Sequence, residues 1–128
     1  MLTEHGCREF ATVEMSLVNC LRVLLVDDSP EFVRVASRLL STDSRIEVLG
    51  HATTGLDAVE RAAGTRPDVV LMDLNLPGID GLEATRRIKR LPHAPSVVMV
   101  TLHDTPEYRA AAAAVGADGF LPKTRFAL

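Results

Sequence analysis

Residues 69–78, VVLMDLNLPG, form the stretch that decides the fold. Four apolar residues follow Pro67 and precede Asp73, and Pro77-Gly78 marks a turn shortly afterwards. A short apolar run between turn signals is typical of a buried strand in a parallel sheet. Because ligands bind where the carboxyl ends of such strands meet, Asp73 is the first candidate for a functional residue.

The same pattern repeats on both sides of this stretch. Apolar runs predict further strands, at residues 21–26, 46–50, 96–101 and 119–123. Helix-capping signals follow each of the first four strands, at Ser29-Pro30, Thr54, Asp80 and Thr105-Pro106. Strands that alternate with helices through short connections predict one α/β domain with a doubly wound parallel sheet.

Two of the predicted helices have apolar residues whose spacing indicates a buried face. In the first helix these residues are Phe32, Val35, Ala36, Leu39 and Leu40. In the second helix they are Leu56, Val59 and Ala63. Gly64 follows them, and we expect it to end the second helix because glycine is common at that position.

Composition and charge limit the classes of function. The chain has 128 residues, a net charge of −3 and 47% hydrophobic residues, which is typical of one globular domain. It has no strongly basic surface for nucleic acid and no apolar stretch near the roughly 20 residues of a membrane span, so we expect neither interaction. Cys7 and Cys20 lack the spacing of a metal knuckle, and no secretion signal precedes them, so we expect a cytoplasmic protein.

Polar residues stand at the predicted carboxyl ends of four strands: Asp27, Asp28, Asp73, Thr101 and Lys123. Any one of them is most simply a turn former or a helix cap, but a parallel sheet brings all of them to one edge. Carboxylates this close repel each other unless a cation neutralises them, and ligand sets made only of oxygen favour magnesium over zinc. With a lysine and a threonine hydroxyl, these are the parts needed to place a phosphoryl group on Asp73.

Together these motifs resemble the receiver domain of bacterial two-component response regulators, and most closely the NarL/FixJ type. The resemblance covers about residues 21–123 and rests on Asp27-Asp28, MDLNLPGIDG around Asp73, VTLHD from Thr101, and GFLPK ending at Lys123. It implies a flavodoxin-like sheet of five strands in the order 2-1-3-4-5.

The resemblance also implies roles for the strand-end residues. Asp73 accepts a phosphoryl group from a sensor histidine kinase or a histidine phosphotransfer protein. Asp28, Asp73 and the backbone carbonyl of Asn75 hold Mg²⁺, while Asp27 orients a metal-bound water. On this basis the chain catalyses only its own phosphorylation and dephosphorylation.

Thr101 and Phe120 are the switch pair that the resemblance implies. Thr101 and Lys123 contact the phosphoryl group, Phe120 follows the movement of Thr101, and the output surface changes for transcriptional or other signalling. Two alternatives stay open: a receiver-like scaffold that binds partners without phosphorylation, and a magnesium-dependent phosphatase with Asp73 as nucleophile. The phosphatase reading lacks a second acid two residues after Asp73, where Asn75 stands.

Among the departures of the chain from the family pattern, two bear on the site and on the end of the fold. Leu102 follows Thr101 where alanine or serine is common, and its bulk is expected to restrict access to Asp73. Only five residues follow Lys123, too few for the fifth helix of the family. We therefore expect an N-terminal extension, residues 1–19, and a receiver domain, residues 20–128, whose fifth helix is missing or truncated.

A missing helix leaves apolar surface uncovered beside the first helix, which stable monomers rarely tolerate. Residues 1–19 could cover it, a second copy could cover it in a homo-oligomer, or the chain is part of a longer regulator. We favour the longer regulator or the oligomer, because residues 1–19 show only a weak helical pattern.

Overall fold

The computed structural model describes residues 20–126, which form a five-stranded sheet with helices on both faces. The strands are β1 Leu21–Val26, β2 Ile46–Ala52, β3 Val69–Met72, β4 Ser96–Thr101 and β5 Gly119–Pro122. They lie in the order β2-β1-β3-β4-β5, and every neighbouring pair is parallel. The predicted fold and strand order are confirmed.

Four α-helices and one short turn connect or follow these strands. The helices are α1 Pro30–Leu40, α2 Gly55–Thr65, α3 Gly81–Ile88 and α4 Pro106–Ala114, and the 3₁₀ turn is Lys123–Phe126. Each helix begins after a side chain that accepts a hydrogen bond from a backbone N–H three residues later. These caps are Ser29, Thr54, Asp80 and Thr105, which confirms the predicted helix starts.

The two faces of the sheet are covered unequally in the described part of the chain. Helices α2, α3 and α4 pack on one face, where Val70, Met72, Val97 and Met99 are all 0% exposed. Helix α1 and the 3₁₀ turn pack on the other face. Several strand residues there are only partly buried, namely Val69, Leu71, Val98 and Leu121.

The buried face of α1 differs from the prediction at two positions, Val33 and Val35. Val35 is 45% exposed, whereas Val33 and Ala36 are the buried residues of the helix. The helical period was right, but the expected stripe included a large residue that lies beside the contact. Phe32 remains half-buried at the edge of this face.

The buried face of α2 also differs. Leu56 is 55% exposed and Ala63 is exposed, while Ala58 and Ala62 pack into the core. Small alanine side chains let the helix approach the sheet closely, so the largest apolar residue is not the buried one. The predicted end is wrong as well, since Gly64 lies within the helix and Arg66, with φ 51°, is the left-handed C-cap.

From Lys123 onward, the described residues form the 3₁₀ turn and contain no fifth α-helix. Phe126 of this turn is 8% exposed and meets the ring of Phe32 edge-on. No described helix is long and apolar enough to cross a membrane. The predictions made for residues 1–19, including Cys7, lie outside the described residues.

Candidate functional site

The three predicted acids meet at the carboxyl edge of the sheet. Hydrogen bonds from Asp27 N to Ala52 O (3.0 Å) and from Asp73 N to Val26 O (2.9 Å) continue the strand pairing by one residue. The carboxylates of Asp27, Asp28 and Asp73 offer oxygens that all lie within 4.8 Å of one another. Asp27 is 2% exposed and Asp73 6% exposed, while Asp28 faces solvent.

Lys123 joins this cluster from the end of β5. Its Nζ lies 2.7 Å from Asp27 Oδ2 and 3.6 Å from Asp73 Oδ2, and its side chain is 14% exposed. Asp27 Oδ2 has no hydrogen-bond partner among the described residues, so its short contact with the ammonium is an ion pair without hydrogen-bond alignment. One ammonium thus faces two buried carboxylates.

The electrostatics of the site disfavour the charged form of Asp73. Burial raises the pKa of Asp73 to about 6, the charge of Asp27 adds to this shift, and the charge of Lys123 opposes it. Three carboxylates and one lysine leave the cluster short of positive charge. A hard divalent cation fits this set of oxygen ligands, with solvent reaching it from the side of Asp28.

Asn75 lies on the loop that follows Asp73 and is exposed. The ligand predicted there is the backbone carbonyl, which the identity of the side chain does not change. The structure therefore brings Asp27, Asp28, Asp73 and Lys123 together, with Asn75 two residues along the chain from the central acid.

Gly81 contributes to the site although the sequence indicated it only as part of a helix start. Its N–H donates to Leu74 O at 2.8 Å, and a Cβ added to it would overlap the backbone carbonyl oxygen of Asp73. Only glycine lets α3 begin this close to the acid. The available signal was a glycine directly after the helix cap Asp80, but close approach to Asp73 requires the fold.

Thr101 and Phe120 lie on neighbouring strands. Thr101 is 0% exposed, and its Oγ1 accepts a hydrogen bond from His103 N at 3.1 Å. Phe120 pairs with Met99 across β4 and β5, which places it on the same face of the sheet as Thr101, two residues away in register. The next residue, Leu102, is 70% exposed.

Arg109 lies over the ring of Phe120, with the guanidinium carbon 4.7 Å from the ring centroid. The same guanidinium donates to Asp104 at 2.7 and 3.2 Å. This contact was missed in the sequence, because residues 109 and 120 become neighbours only when α4 packs beside β5. Phe120 is therefore half-buried beneath a side chain that is itself paired.

Fold and site together define the class of this protein. It is a flavodoxin-like α/β domain whose acidic cluster, lysine and buried threonine stand at the carboxyl edge of the sheet. That edge is where doubly wound proteins bind phosphorylated or charged ligands.

Comparison with known proteins gives the family. The family model of the response regulator receiver domain matches residues 23–126. The chain is 43% identical over 104 residues to the response regulator UvrY of Escherichia coli O157:H7, covering 80% of this chain and 47% of UvrY. The chain belongs to the receiver domain family of two-component response regulators.

Two further relatives agree with this assignment. A protein-glutamate methylesterase/protein-glutamine glutaminase of Aliivibrio fischeri is 39% identical over 104 residues, covering 80% of this chain and 28% of that protein. The signal receiver domain of the response regulator NarL from Mycobacterium tuberculosis superposes with a TM-score of 0.77 at 34% identity, covering 82% of this chain and 85% of that one. The predicted likeness to NarL-type receivers is confirmed.

The chain spans less than half the length of the two curated relatives, 47% of UvrY and 28% of the methylesterase. The part shared with them is the receiver domain, so the activities of those whole proteins are properties of the relatives.

Proposed function

We propose that this chain is a phosphorylation-controlled switch in which Asp73 accepts a phosphoryl group from a sensor histidine kinase or a histidine phosphotransfer protein. The observation that carries the proposal is the position of Asp73, buried in an acidic cluster with Lys123 Nζ 3.6 Å from its Oδ2. A buried acid with a raised pKa and a specific cationic partner is a frequent mark of a reactive group.

The reaction is the transfer of one phosphoryl group. An Asp73 carboxylate oxygen forms a bond to phosphorus, the bond from phosphorus to the histidine nitrogen breaks, and that nitrogen keeps the electron pair. Charge on the transferring oxygens needs fixed positive partners, and Lys123 supplies one. The Thr101 hydroxyl accepts from His103 N, which leaves its own hydrogen available for a phosphoryl oxygen.

Asp28, Asp73 and the backbone carbonyl of Asn75 are the residues proposed to hold Mg²⁺, with Asp27 orienting its water. The ligand oxygens fit this ion because three carboxylates lie together with only one lysine to neutralise them. When bound, Mg²⁺ neutralises charge on the phosphoryl oxygens and on the carboxylates.

The switch we propose links Thr101 to Phe120. Contact between Thr101 and a phosphoryl group on Asp73 favours an inward position of the threonine side chain, and Phe120 follows on the neighbouring strand. The surface that changes is formed by α4 and β5, where Arg109 now lies on the ring. Such a shift can be no larger than the difference in phosphoryl contacts between the two states.

We further propose that the receiver unit spans residues 20–128, that residues 1–19 are an extension, and that the protein works in the cytoplasm on no substrate other than its own Asp73. The phosphorylation-independent scaffold gains no support from the site, because Asp73 and Lys123 stand together with both accompanying acids.

The test is incubation of the purified chain with Mg²⁺ and acetyl phosphate, followed by intact mass measurement. We expect a mass increase of one phosphoryl group in the wild type and none in Asp73→Asn, which replaces the nucleophile with an amide of the same shape. Asp118→Asn is the matched control at an acid outside the cluster and should be labelled as the wild type is. No mass increase in the wild type, or equal mass increases in the wild type and Asp73→Asn, would contradict the proposal.

A further inference from the structure

Lys123 contacts an aromatic ring as well as two carboxylates. Its Nζ lies 4.6 Å from the centroid of the Phe32 ring, within the range of a cation–π interaction. The same nitrogen is 2.7 Å from Asp27 Oδ2 and 3.6 Å from Asp73 Oδ2. Lys123, whose ammonium we assign to the phosphoryl group, therefore also contacts Phe32, a residue with no function assigned so far.

Phe32 is fixed in turn by the end of the described chain. The rings of Phe32 and Phe126 are 5.5 Å apart at an interplanar angle of 77°, an edge-to-face contact, and Phe126 is 8% exposed. Lys123 and Phe126 are the first and last residues of the same 3₁₀ turn. Both ends of this short turn thus pack on one ring of α1.

The backbone of Phe32 is also tied to the acid that pairs with Lys123. Asp27 Oδ1 accepts from Ser29 N at 2.8 Å, and Ser29 Oγ accepts from Phe32 N at 3.2 Å. Asp27 Oδ2 then meets Lys123. Hydrogen bonds thus connect Asp27, Ser29 and Phe32 into one unit. This unit contacts Lys123 through the carboxylate of Asp27 and through the ring of Phe32.

We propose that Phe32 is a positioning residue that holds Lys123 beside Asp27 and Asp73, and that Phe126 keeps the Phe32 ring in place for this purpose. A lysine side chain is a flexible four-carbon stem that ends in a compact, strongly hydrated ammonium. Two carboxylates alone therefore leave it many orientations. The ring favours the orientation in which Nζ reaches Asp73. The role of Phe32 in phosphorylation rests on the proposed function, while its contact with the lysine does not.

The contact can be tested without any phosphoryl chemistry because the chain has two lysines, Lys89 and Lys123. Lysine-selective ¹³C labelling gives two ε-methylene signals, and Lys123→Arg assigns them. A ring current from Phe32 should displace the Lys123 signal, and Phe32→Leu should return it to the position of an ordinary lysine. Lys89, whose Nζ donates to Pro95 O and Asp118 Oδ2, should keep its signal and is the internal control.

Phe126→Leu extends this test to the supporting ring. We expect the Lys123 signal to move part of the way toward the ordinary position, because Phe32 keeps its ring but loses its edge-on partner. A Lys123 signal that is the same in the wild type, Phe32→Leu and Phe126→Leu contradicts the proposal. This comparison stands even where one of the two variants folds poorly, since each reports separately.

The effect on the reaction is tested by the initial rate of Asp73 phosphorylation from acetyl phosphate at saturating Mg²⁺. Phe32→Leu keeps an apolar side chain without a π face and should slow labelling by about 2- to 10-fold, the range of a partly exposed cation–π contact. Phe32→Trp keeps a π face and should retain a rate near that of the wild type. Val35→Ala, at an exposed residue of the same helix, is the matched control and should not change the rate.

The outcomes separate the two proposals. Equal rates in Phe32→Leu and Val35→Ala, or equal losses in Phe32→Leu and Phe32→Trp, show that the π face does not position Lys123 and overturn this inference. Failure of the wild type to be labelled overturns the proposed function, and the lysine signals still decide whether the ring holds the ammonium.

Discussion

Asp73 is a carboxyl group in surroundings that oppose its charge. It is 6% exposed and shares its site with two other acids, while Lys123 neutralises only part of the total. Burial is the main cause that raises the pKa of Asp73, and Asp27 is the second. Without a bound cation, the charged form of Asp73, the proposed nucleophile, therefore costs folding free energy.

This cost predicts a pH dependence in the metal-free protein. The pKa of Asp73 rises from 3.8 to about 6 on folding, so between these values the folded state binds more protons and stability falls as the pH rises. Asp73→Asn removes the penalty and should raise the free energy of unfolding by about 1 to 3 kcal/mol near pH 7.5. Urea denaturation in the presence of a chelator measures the difference.

Near pH 4.5 the gain from Asp73→Asn should be less than half as large, because Asp73 is then mostly protonated in the folded protein and most of the cost of burying its charge is absent. A gain of the same size at both pH values would show that the amide stabilises for a reason other than lost charge. Mg²⁺ should stabilise the wild type more than Asp73→Asn.

At the residue scale, the sequence was enough to predict which charged groups meet, but not which aromatic side chain contacts them. Acids at the ends of apolar runs, together with Lys123, could be predicted because a parallel sheet brings strand ends to one edge. The ring of Phe32 beneath Lys123 could not be predicted, because a cation–π contact depends on a distance set by how the 3₁₀ turn packs on α1.

At the scale of elements, α3 begins closer to β3 than any side chain at its first residue would allow. Gly81→Ala adds a Cβ that overlaps the carbonyl oxygen of Asp73, so the helix or the acid must move. We expect a loss of about 1 to 3 kcal/mol in the free energy of unfolding, measured by chemical denaturation, and slower labelling of Asp73.

Gly64→Ala is the control for this substitution. Gly64 lies within α2, and a Cβ added to it would meet no atom within 4 Å, so alanine there should stabilise the protein by up to about 1 kcal/mol. If Gly81→Ala is as stable and as active as Gly64→Ala, the close approach of α3 to Asp73 has no consequence.

Asp118 joins α3, β4 and the start of β5. Its Oδ2 accepts from Val97 N and from Lys89 Nζ, each at 2.8 Å, and the hydrogen bond from Lys89 holds the pKa of Asp118 below its usual range. Asp118→Ala should lower the free energy of unfolding by about 1 to 2 kcal/mol, because it leaves the Val97 N–H without its acceptor.

Thermal or urea unfolding measures this loss, with Glu60→Ala on the exposed surface of α2 as the control that should change little. A loss no larger than that of the control would mean that water replaces the carboxylate at no cost. Labelling of Asp73 should stay at the wild-type rate in both variants, since neither residue belongs to the site.

Helix starts could be predicted from the sequence, but the buried sides of the helices could not. The cap residues accept hydrogen bonds from a backbone N–H only three positions later in the chain, so each cap is a local feature; they are Ser29, Thr54, Asp80 and Thr105. Which side packs depends on the distance between helix and sheet. In α2 that distance suits Ala58 and Ala62, and the larger Leu56 stays in solvent.

At the scale of the whole molecule, the alternation of strands and helices was enough to predict a doubly wound sheet, and the family resemblance gave its order. The unequal cover of the two faces is the feature that the family pattern does not contain. Among the described residues, one helix and a four-residue turn pack on the face opposite α2, α3 and α4. The same turn carries both Lys123, which contacts Asp27, and Phe126, which contacts the Phe32 ring.

The central claim is that Asp73 itself carries the phosphoryl group. After treatment with Mg²⁺ and acetyl phosphate, borohydride reduces an aspartyl phosphate to homoserine, and peptide mass spectrometry locates the converted residue. We predict homoserine at position 73 and at neither Asp27 nor Asp28. Homoserine at one of those two acids, or at none of the three, would contradict the assignment of Asp73 as the phosphoryl acceptor.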